Sequence, residues 1–168
     1  MSGVIVVMGV SGCGKSTLGR ALAEELGFGF LEGDDFHPPA NVARMAAGMP
    51  LTDAMRWDWL RDLGRAAGRQ RDAGVVVSCS ALKRSYRDLL REAAGPVRFV
   101  FPDLPREVVA ARLLDRKGHY MPPGLLGSQF DTLERPGRDE TDVTTIPLAA
   151  PPGEVLRATL AALERGGA

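Results

Sequence analysis

GVSGCGKST, residues 9–17, lies between the apolar run VIVVM (residues 4–8) and a segment in which leucines recur at positions 18, 22 and 26. The continuous apolar run predicts a strand that is buried on both faces, and the leucine spacing predicts a helix with one apolar face. The stretch has the phosphate-loop pattern G-x-x-x-x-G-K-S, with the strand before it and the helix after it that this pattern requires. It therefore predicts an α/β fold with a parallel sheet.

The loop also predicts a ligand. Backbone N–H groups of a glycine-rich turn at a helix N-terminus bind phosphate groups, and the helix dipole favours negative charge there. Lys15 is expected to reach the β- and γ-phosphates of ATP, and the Ser16 hydroxyl to bind Mg²⁺. The expected nucleotide contacts from this loop are Gly9, Val10, Ser11, Gly12, Cys13, Gly14, Lys15, Ser16 and Thr17.

Short runs rich in β-branched residues alternate with amphipathic segments along the remaining chain, which is typical of a parallel sheet covered by helices. The predicted strands after the first lie near residues 28–31, 74–80, 97–101 and 143–146, and the helices near 15–26, 39–47, 54–72, 81–95, 105–116 and 154–164. No linker divides the chain. We therefore expect a single domain, residues 1–168, with a three-layer α/β/α fold, a five-stranded parallel sheet and a helical lid insertion.

Composition excludes several partners. The chain has 21 basic and 21 acidic residues, so its net charge gives no broad attraction for nucleic acid or anionic lipid. No apolar run approaches the length of a membrane span, and the N-terminus lacks the basic region of a signal peptide. Cys13 and Cys79 lack metal-ligand spacing. These features predict a cytoplasmic protein that binds neither nucleic acid nor membranes.

Among phosphate-loop proteins, the remaining sequence favours a small kinase. The base-recognition motif N-K-x-D of GTPases is missing, since Asn41 is the only asparagine and V-A-R follows it. The predicted third strand ends in S-C-S at residues 78–80, without the acidic pair of motor ATPases. A kinase needs an acceptor site beyond the strand ends, where E-G-D-D-F-H, residues 32–37, follows the second strand. One carboxylate there can accept the proton of the acceptor hydroxyl and help hold Mg²⁺; taken alone, such an acidic loop is more often a solvated turn.

Three further stretches resemble the gluconokinase family of small phosphate-loop kinases, which is related in fold to shikimate and adenylate kinases. They are EGDDFHPPANVARMAAGMPLTDAMRWDWL (residues 32–60), CSALKRSYRDLLR (79–91) and RKGHYMPPGLLGSQFDTLERPGRDE (116–140). The resemblance implies ATP- and Mg²⁺-dependent phosphorylation of D-gluconate at its 6-hydroxyl, within the pentose phosphate or Entner–Doudoroff routes, by a homodimer. The alternatives are a shikimate-like or other small-metabolite kinase, and a nucleotide-binding regulatory module that hydrolyses ATP slowly.

The chain departs from the family pattern at two places. Glu32 stands where the family usually has aspartate, so Asp34 is expected to be the base and to help hold Mg²⁺ through a bridging water. The family pattern D-x-D-R-x-P-W-L becomes D-A-M-R-W-D-W-L at residues 53–60, which loses an acidic residue and the proline but keeps Arg56.

Gluconate is a polyol acid, so its site needs a cation for the carboxylate. Arg56 can form a bidentate pair with it. The other candidate substrate contacts are Asp34, His37, Lys83, Arg84, His119 and Gln129. Arg56 has an alternative as a surface ion pair with an aspartate, and His37 as packing at a helix end.

Two segments are expected to close over the ligands: a substrate-binding helical segment at about residues 35–72 and a lid at about residues 117–134. Arg112 and Arg116, four residues apart on one predicted helix, are expected to point toward the phosphates, with Arg116 as an internal arginine finger. His119 and Gln129 either contact substrate or fasten the lid.

Overall fold

A computed structural model describes residues 2–115 and 123–166. Five strands form one sheet: β1 (Val4–Val7), β2 (Gly29–Glu32), β3 (Val75–Ser78), β4 (Val97–Pro102) and β5 (Val143–Ile146). The helices within the described ranges are α1 (Lys15–Leu26), α2 (Pro39–Ala46), α3 (Asp53–Arg69), α4 (Arg84–Ala94), α5 (Arg106–Asp115), α6 (Pro123–Thr132) and α7 (Pro152–Arg165). A 3₁₀ turn, Gly33–Phe36, follows β2 directly.

The sheet has the strand order β2-β3-β1-β4-β5, and every neighbouring pair is parallel. β1 lies at its centre, with Val4 opposite both Val75 of β3 and Val97 of β4. Because all strands run the same way, their carboxyl ends meet at one edge, where ligands of open α/β sheets bind. The phosphate loop and the Glu32–His37 stretch both begin at that edge. The predicted five-stranded parallel sheet is confirmed.

Helices cover both faces of this sheet. The side chains of β1 alternate between two core clusters: Val4 and Val6 pack with α3 and α4, whereas Ile5 and Val7 pack with α1 and α7. This alternation explains why the whole strand is apolar, since neither of its faces meets solvent. The predicted three-layer α/β/α arrangement is therefore confirmed. None of the described helices is both long enough and apolar enough to cross a membrane.

The largest difference between a predicted and an observed helix start lies at α4. The helix predicted over residues 81–95 begins only at Arg84, and Ala81 has a left-handed φ of +44°. Alanine rarely adopts that conformation, because its Cβ crowds the backbone. Residues 80–83 therefore form a turn between β3 and α4, which we call the post-β3 turn. In the predicted lid, α6 covers residues from Pro123 onward, and residues 117–122 lie outside the described ranges.

Candidate active site

The phosphate loop forms a cradle at the N-terminus of α1. Gly9, Gly12 and Gly14 have φ values of +128°, +83° and +90°, which residues other than glycine rarely adopt. A Cβ at Gly12 would lie 2.8 Å from Leu113 Cγ, so the loop is also pressed against α5. Lys15 begins α1, and its Nζ donates a 3.1 Å hydrogen bond to the Val10 carbonyl across the loop. Such a cradle of backbone amides fits a polyphosphate.

A chain of oxygen ligands crosses the sheet edge beside this cradle. The hydroxyls of Ser16 and Ser78 lie 3.2 Å apart, and the Ser78 hydroxyl donates a 2.9 Å hydrogen bond to Glu32 Oε1. No group of three or more His, Cys, Asp or Glu side chains within the described ranges could hold a metal ion alone. Mg²⁺ does not need one, because it usually takes one or two protein oxygens and completes its shell with phosphate and water. The donor set therefore fits Mg²⁺.

The glycine at position 33, directly after β2, has a steric reason. Gly33 approaches β3 so closely that a Cβ there would lie 2.2 Å from the Ser78 carbonyl oxygen. Trp59 of α3 is buried and donates a 2.8 Å hydrogen bond from its indole N–H to the Gly33 carbonyl. Trp59 is part of the core and also holds the turn that carries Asp34. The Asp34 carboxylate is 84% exposed, so it faces the open side of the site.

The surroundings of His37 disfavour its protonated form. Its ring stacks on Trp59 with centroids 3.9 Å apart. The amide of the buried Asn41 donates to the Met55 carbonyl at 3.0 Å and lies 3.2 Å from His37 Nδ1. Because the Asn41 NH₂ group is a donor, the His37 Nδ1 beside it must accept. Nδ1 therefore carries no proton, and Nε2 of the same ring does. Burial lowers the pKa of His37, the nearby Asp34 carboxylate opposes this shift, and Arg56 adds to it.

This environment predicts a pH-dependent stability. The pKa of His37 is lowered on folding, so the unfolded chain binds more protons below its ordinary pKa of 6.5. The contribution of His37 is therefore complete above that value and is lost as pH falls through the lower folded pKa. We expect the free energy of unfolding to fall between about pH 7.5 and about pH 5.5, measured by urea denaturation. His37→Gln should lose less stability across the same interval; an equal loss in both proteins would contradict the prediction.

A second group of side chains joins the start of α3 to the start of α4. Asp53 accepts hydrogen bonds from the Tyr86 hydroxyl at 2.5 Å and from Lys83 Nζ at 3.3 Å. Arg56 donates to the Tyr86 hydroxyl at 3.0 Å and to the Leu51 carbonyl at 2.8 Å, and lies 3.9 Å from Asp53. We call Asp53, Arg56, Lys83 and Tyr86 the cation cluster. The Tyr86 hydrogen bond, with help from Lys83, lowers the pKa of Asp53, and Asp53 raises the pKa of Lys83.

The cation cluster brings together two of the predicted substrate residues, Arg56 and Lys83. The alternative for Arg56, an ion pair with an aspartate, is also present, since Arg56 pairs with Asp53. Asp58 pairs with Arg61. Tyr86 was missed by the sequence analysis. Its signal is the K-R-S-Y spacing, which places it one helical turn after Lys83.

The other predicted residues lie in different surroundings. Arg84 is paired with Asp139 and lies 3.8 Å from Asp88, so its charge is engaged on α4's exposed side. Gln129 of α6 contacts the phosphate loop: it accepts a 2.6 Å hydrogen bond from the Ser11 N–H and donates a 3.0 Å bond to the Ser11 hydroxyl. Arg112 Nη1 lies 3.9 Å from the place of a Cβ on Gly14, beside the cradle. Arg116 and His119 fall outside the described residues.

The two cysteines line the same edge. Cys13 lies within the phosphate loop and Cys79 directly follows β3; both are buried free thiols. Burial raises the pKa of Cys79 to about 12, and the nearby Lys15 opposes that shift only weakly. The Cys79 side chain therefore acts as a small core residue at neutral pH.

Comparison with known proteins gives a consistent set of relatives. A family model described as an AAA domain matches residues 4–136. The chain is 52% identical over 143 residues to the gluconokinase of Gluconobacter oxydans, covering 81% of this chain and 78% of that protein. It is 42% identical over 165 residues to the thermoresistant gluconokinase of Escherichia coli, covering 97% and 94%. The crystal structure of a gluconokinase from Sinorhizobium meliloti superposes with a TM-score of 0.87 at 52% identity, covering 98% and 93%.

Proposed function

The chain belongs to the gluconokinase family, and from this premise we propose that it transfers the γ-phosphoryl group of ATP to the 6-hydroxyl of D-gluconate, giving 6-phospho-D-gluconate and ADP. The observation that carries the proposal is the pairing of two sites at one sheet edge. The phosphate loop fits a polyphosphate, and the cation cluster presents Arg56 and Lys83 together for a sugar-acid carboxylate. A regulatory module without an acceptor would have no use for the second site.

The transfer assigns a task to each end of the site. The O6 oxygen bonds to the γ-phosphorus while the bond from that phosphorus to the β–γ bridging oxygen breaks, so that ADP leaves. The exposed Asp34 carboxylate accepts the O6 proton and later releases it to solvent. Lys15 and the loop amides stabilise negative charge on the phosphates, because phosphoryl transfer depends mainly on positioning and charge neutralisation.

We propose Mg²⁺ as the cofactor. Ser16 would hold it directly, and Asp34 through a bridging water, with Glu32 supporting the site through Ser78. When bound, Mg²⁺ supplies charge neutralisation on the phosphate oxygens. Glu32 reaches Ser78 with its longer side chain, which accounts for glutamate where the family usually has aspartate.

For the substrate carboxylate we propose Arg56 and Lys83 as ligands, with His37 close to Asp34. His37 Nε2, which carries the ring proton, lies 3.8 Å from Asp34 Oδ1 and can donate to a gluconate hydroxyl at that place. Arg84 stays a weaker candidate, because Asp139 already engages it. Gln129 contacts Ser11, so a role in fastening the lid is better supported than substrate contact.

Arg56→Lys provides a test of the carboxylate site. Lysine keeps the charge but loses the planar pair of donors that binds a carboxylate at two points. We expect the KM for gluconate to rise by about 10- to 100-fold while the KM for ATP changes little. The matched control is Arg61→Lys on the same helix, whose guanidinium pairs with Asp58. An unchanged KM for gluconate in the Arg56 variant would remove this residue from the site.

The same proposal covers the division of the chain into functional segments and its cellular setting. Residues 1–168 form one kinase domain, in which residues 35–72 carry the substrate and residues 117–134 form the lid. Arg112 already lies beside the phosphate loop, where it can neutralise phosphate charge; Arg116 as arginine finger and His119 as substrate contact stay predictions. We also propose a cytoplasmic location, from the composition and the N-terminal sequence. A homodimer and a place in the pentose phosphate or Entner–Doudoroff routes are proposed from the family resemblance alone.

The proposal is tested by coupling ADP release to NADH oxidation with purified protein, ATP and Mg²⁺. Gluconate, shikimate and nucleoside monophosphates are offered in parallel as acceptors. We expect ADP release that depends on gluconate, and phosphate found on O6 by NMR of the product. Turnover with shikimate or a nucleoside monophosphate alone would favour another small-metabolite kinase, and slow ADP release unaffected by any acceptor would favour the regulatory module.

A further inference from the structure

Arg87 of α4 is fully buried and forms four hydrogen bonds inside the protein. Its Nε and Nη2 donate to the two carboxylate oxygens of Glu140 at 2.8 and 2.7 Å. Its Nη1 donates to two successive carbonyls of the post-β3 turn, those of Ala81 at 3.1 Å and Leu82 at 3.2 Å. Arg91 supports the same carboxylate with a 3.0 Å hydrogen bond. The guanidinium therefore ties the turn to the loop before β5.

General stabilisation is a weak explanation for this arrangement. A buried ion pair loses its hydration, and apolar side chains of similar volume often stabilise a core as well or better. The two carbonyl contacts suggest a local explanation. Ala81 has a φ of +44°, a conformation that its Cβ disfavours, and Arg87 Nη1 binds the Ala81 carbonyl and the next one, that of Leu82. Arg87 thus compensates for backbone strain at one defined place.

The strained turn connects the parts of the proposed site. The Ser80 carbonyl accepts a 3.0 Å hydrogen bond from the Gly9 N–H, at the first residue of the phosphate loop. The Leu82 carbonyl accepts a 2.8 Å bond from the Glu134 N–H, just after α6. Lys83, the last residue of the turn, reaches Asp53 in the cation cluster. A shift in the turn would therefore move the phosphate loop, the end of the lid segment and a substrate cation together.

We propose that Arg87, paired with Glu140, is a positioning residue that holds the post-β3 turn in its strained form and thereby places Lys83 and the start of the phosphate loop for phosphoryl transfer. The Arg87 side chain forms no hydrogen bond with the residues proposed to bind ATP or gluconate; it acts through the carbonyls of the post-β3 turn. The role in catalysis rests on the proposed function, but the effect on the turn does not.

The test variant is Arg87→Met combined with Glu140→Met, which removes both charges at similar volume and leaves neither one unpaired. The control is Arg65→Met combined with Asp62→Asn, which removes an exposed ion pair of α3 that contacts neither Glu140 nor the turn. Two readouts are compared: the KM for gluconate, and amide hydrogen exchange at Gly9 and Glu134. We expect the test variant to raise the KM by about tenfold or more and to speed exchange at both amides by a similar factor.

A rescue separates positioning from general stability. Adding Ala81→Gly to the test variant should restore part of the KM and of the amide protection, because glycine adopts a φ of +44° without crowding. Should the double variant fail to fold, Arg87→Lys serves instead: it keeps a charge beside Glu140 but cannot bind the carboxylate and both carbonyls together. A folded test variant with normal KM and normal protection at Gly9 and Glu134 would overturn the proposal, as would changes no larger than the control's.

The exchange readout also keeps this proposal distinct from the proposed function. If the wild-type protein failed to phosphorylate gluconate, the proposed function would fall, yet faster exchange at Gly9 and Glu134 in the test variant would still show that Arg87 fixes the turn. Conversely, an active wild type with unaltered exchange in the variant would leave the function standing and remove the role of Arg87.

Discussion

Lys15→Met will abolish turnover in a protein that remains folded: we expect kcat to fall by about 10³-fold or more in the coupled assay. Lys15 is the charged side chain of the phosphate loop, and its Nζ already reaches across the loop to the Val10 carbonyl. Charge that develops on the transferring group meets that ammonium, and such charge neutralisation provides much of the catalysis in phosphoryl transfer. Methionine keeps most of the aliphatic stem and removes only the charge and its donors.

The control for this variant is Arg65→Met, which removes an exposed cation of α3 that pairs with Asp62. It should change neither kcat nor the melting temperature appreciably, because exposed ion pairs contribute little. Circular dichroism and thermal melting establish that Lys15→Met is folded. A kcat within about tenfold of the wild type would contradict the phosphate-loop assignment, since loss of one such donor usually lowers kcat by 10²-fold or more.

Asp34→Asn is expected to have the second-largest effect, lowering kcat by about 10²- to 10⁴-fold. Asparagine has nearly the same shape but cannot accept the O6 proton. The Asp34 carboxylate is 84% exposed, so removing its charge should leave the fold intact. The KM for gluconate should change much less than kcat, because the cation cluster, which provides the carboxylate contacts, is untouched.

Asp35→Asn is the matched control, since Asp35 is the next residue of the same 3₁₀ turn and is also exposed. Both variants lose one negative charge at the same edge of the sheet. If general electrostatics near the phosphates were responsible, the two would behave alike. Equal activities for Asp34→Asn and Asp35→Asn would therefore exclude Asp34 as the base, whereas a large difference would identify a position-specific role.

Local patterns in the sequence were enough for the central scaffold. The helix predicted at residues 15–26 and the strand at 143–146 match α1 and β5 to the residue, because glycine boundaries and apolar spacing act within a few positions. The phosphate loop is equally local. What made it recognisable was a strand before it and a helix after it, both of which the apolar pattern shows directly.

Features that depend on strand order could not be predicted from the pattern. The Ser16–Ser78–Glu32 chain exists because β3 lies between β1 and β2, so that three segments distant in sequence end side by side. The misplaced helix start at residue 81 has a similar cause. Residues 81–83 continue a helix-favouring sequence, but the hydrogen bonds from Arg87 hold them in a turn. Long-range contacts override local propensity at that place.

Gln129 shows what a pattern leaves undecided. Substrate contact and lid fastening were both compatible with its place in the S-Q-F stretch, and the contact with Ser11 joins residues 118 positions apart. Trp59 is a related case. An apolar aromatic side chain on the inner face of a helix indicates core, and it is core, but its one polar atom also reaches the Gly33 carbonyl. The sequence carries no sign of that acceptor.

The buried thiol after β3 has a consequence for how the protein responds to oxidants. Because burial raises the pKa of Cys79 to about 12, the reactive thiolate is a very small fraction of the folded population at neutral pH. Peroxide and alkylating reagents attack the thiolate, so both are slow at this position even though it lies close to the nucleotide cradle. Cys79 would then be labelled only when the sheet edge opens, so the rate of its alkylation measures how often that edge opens.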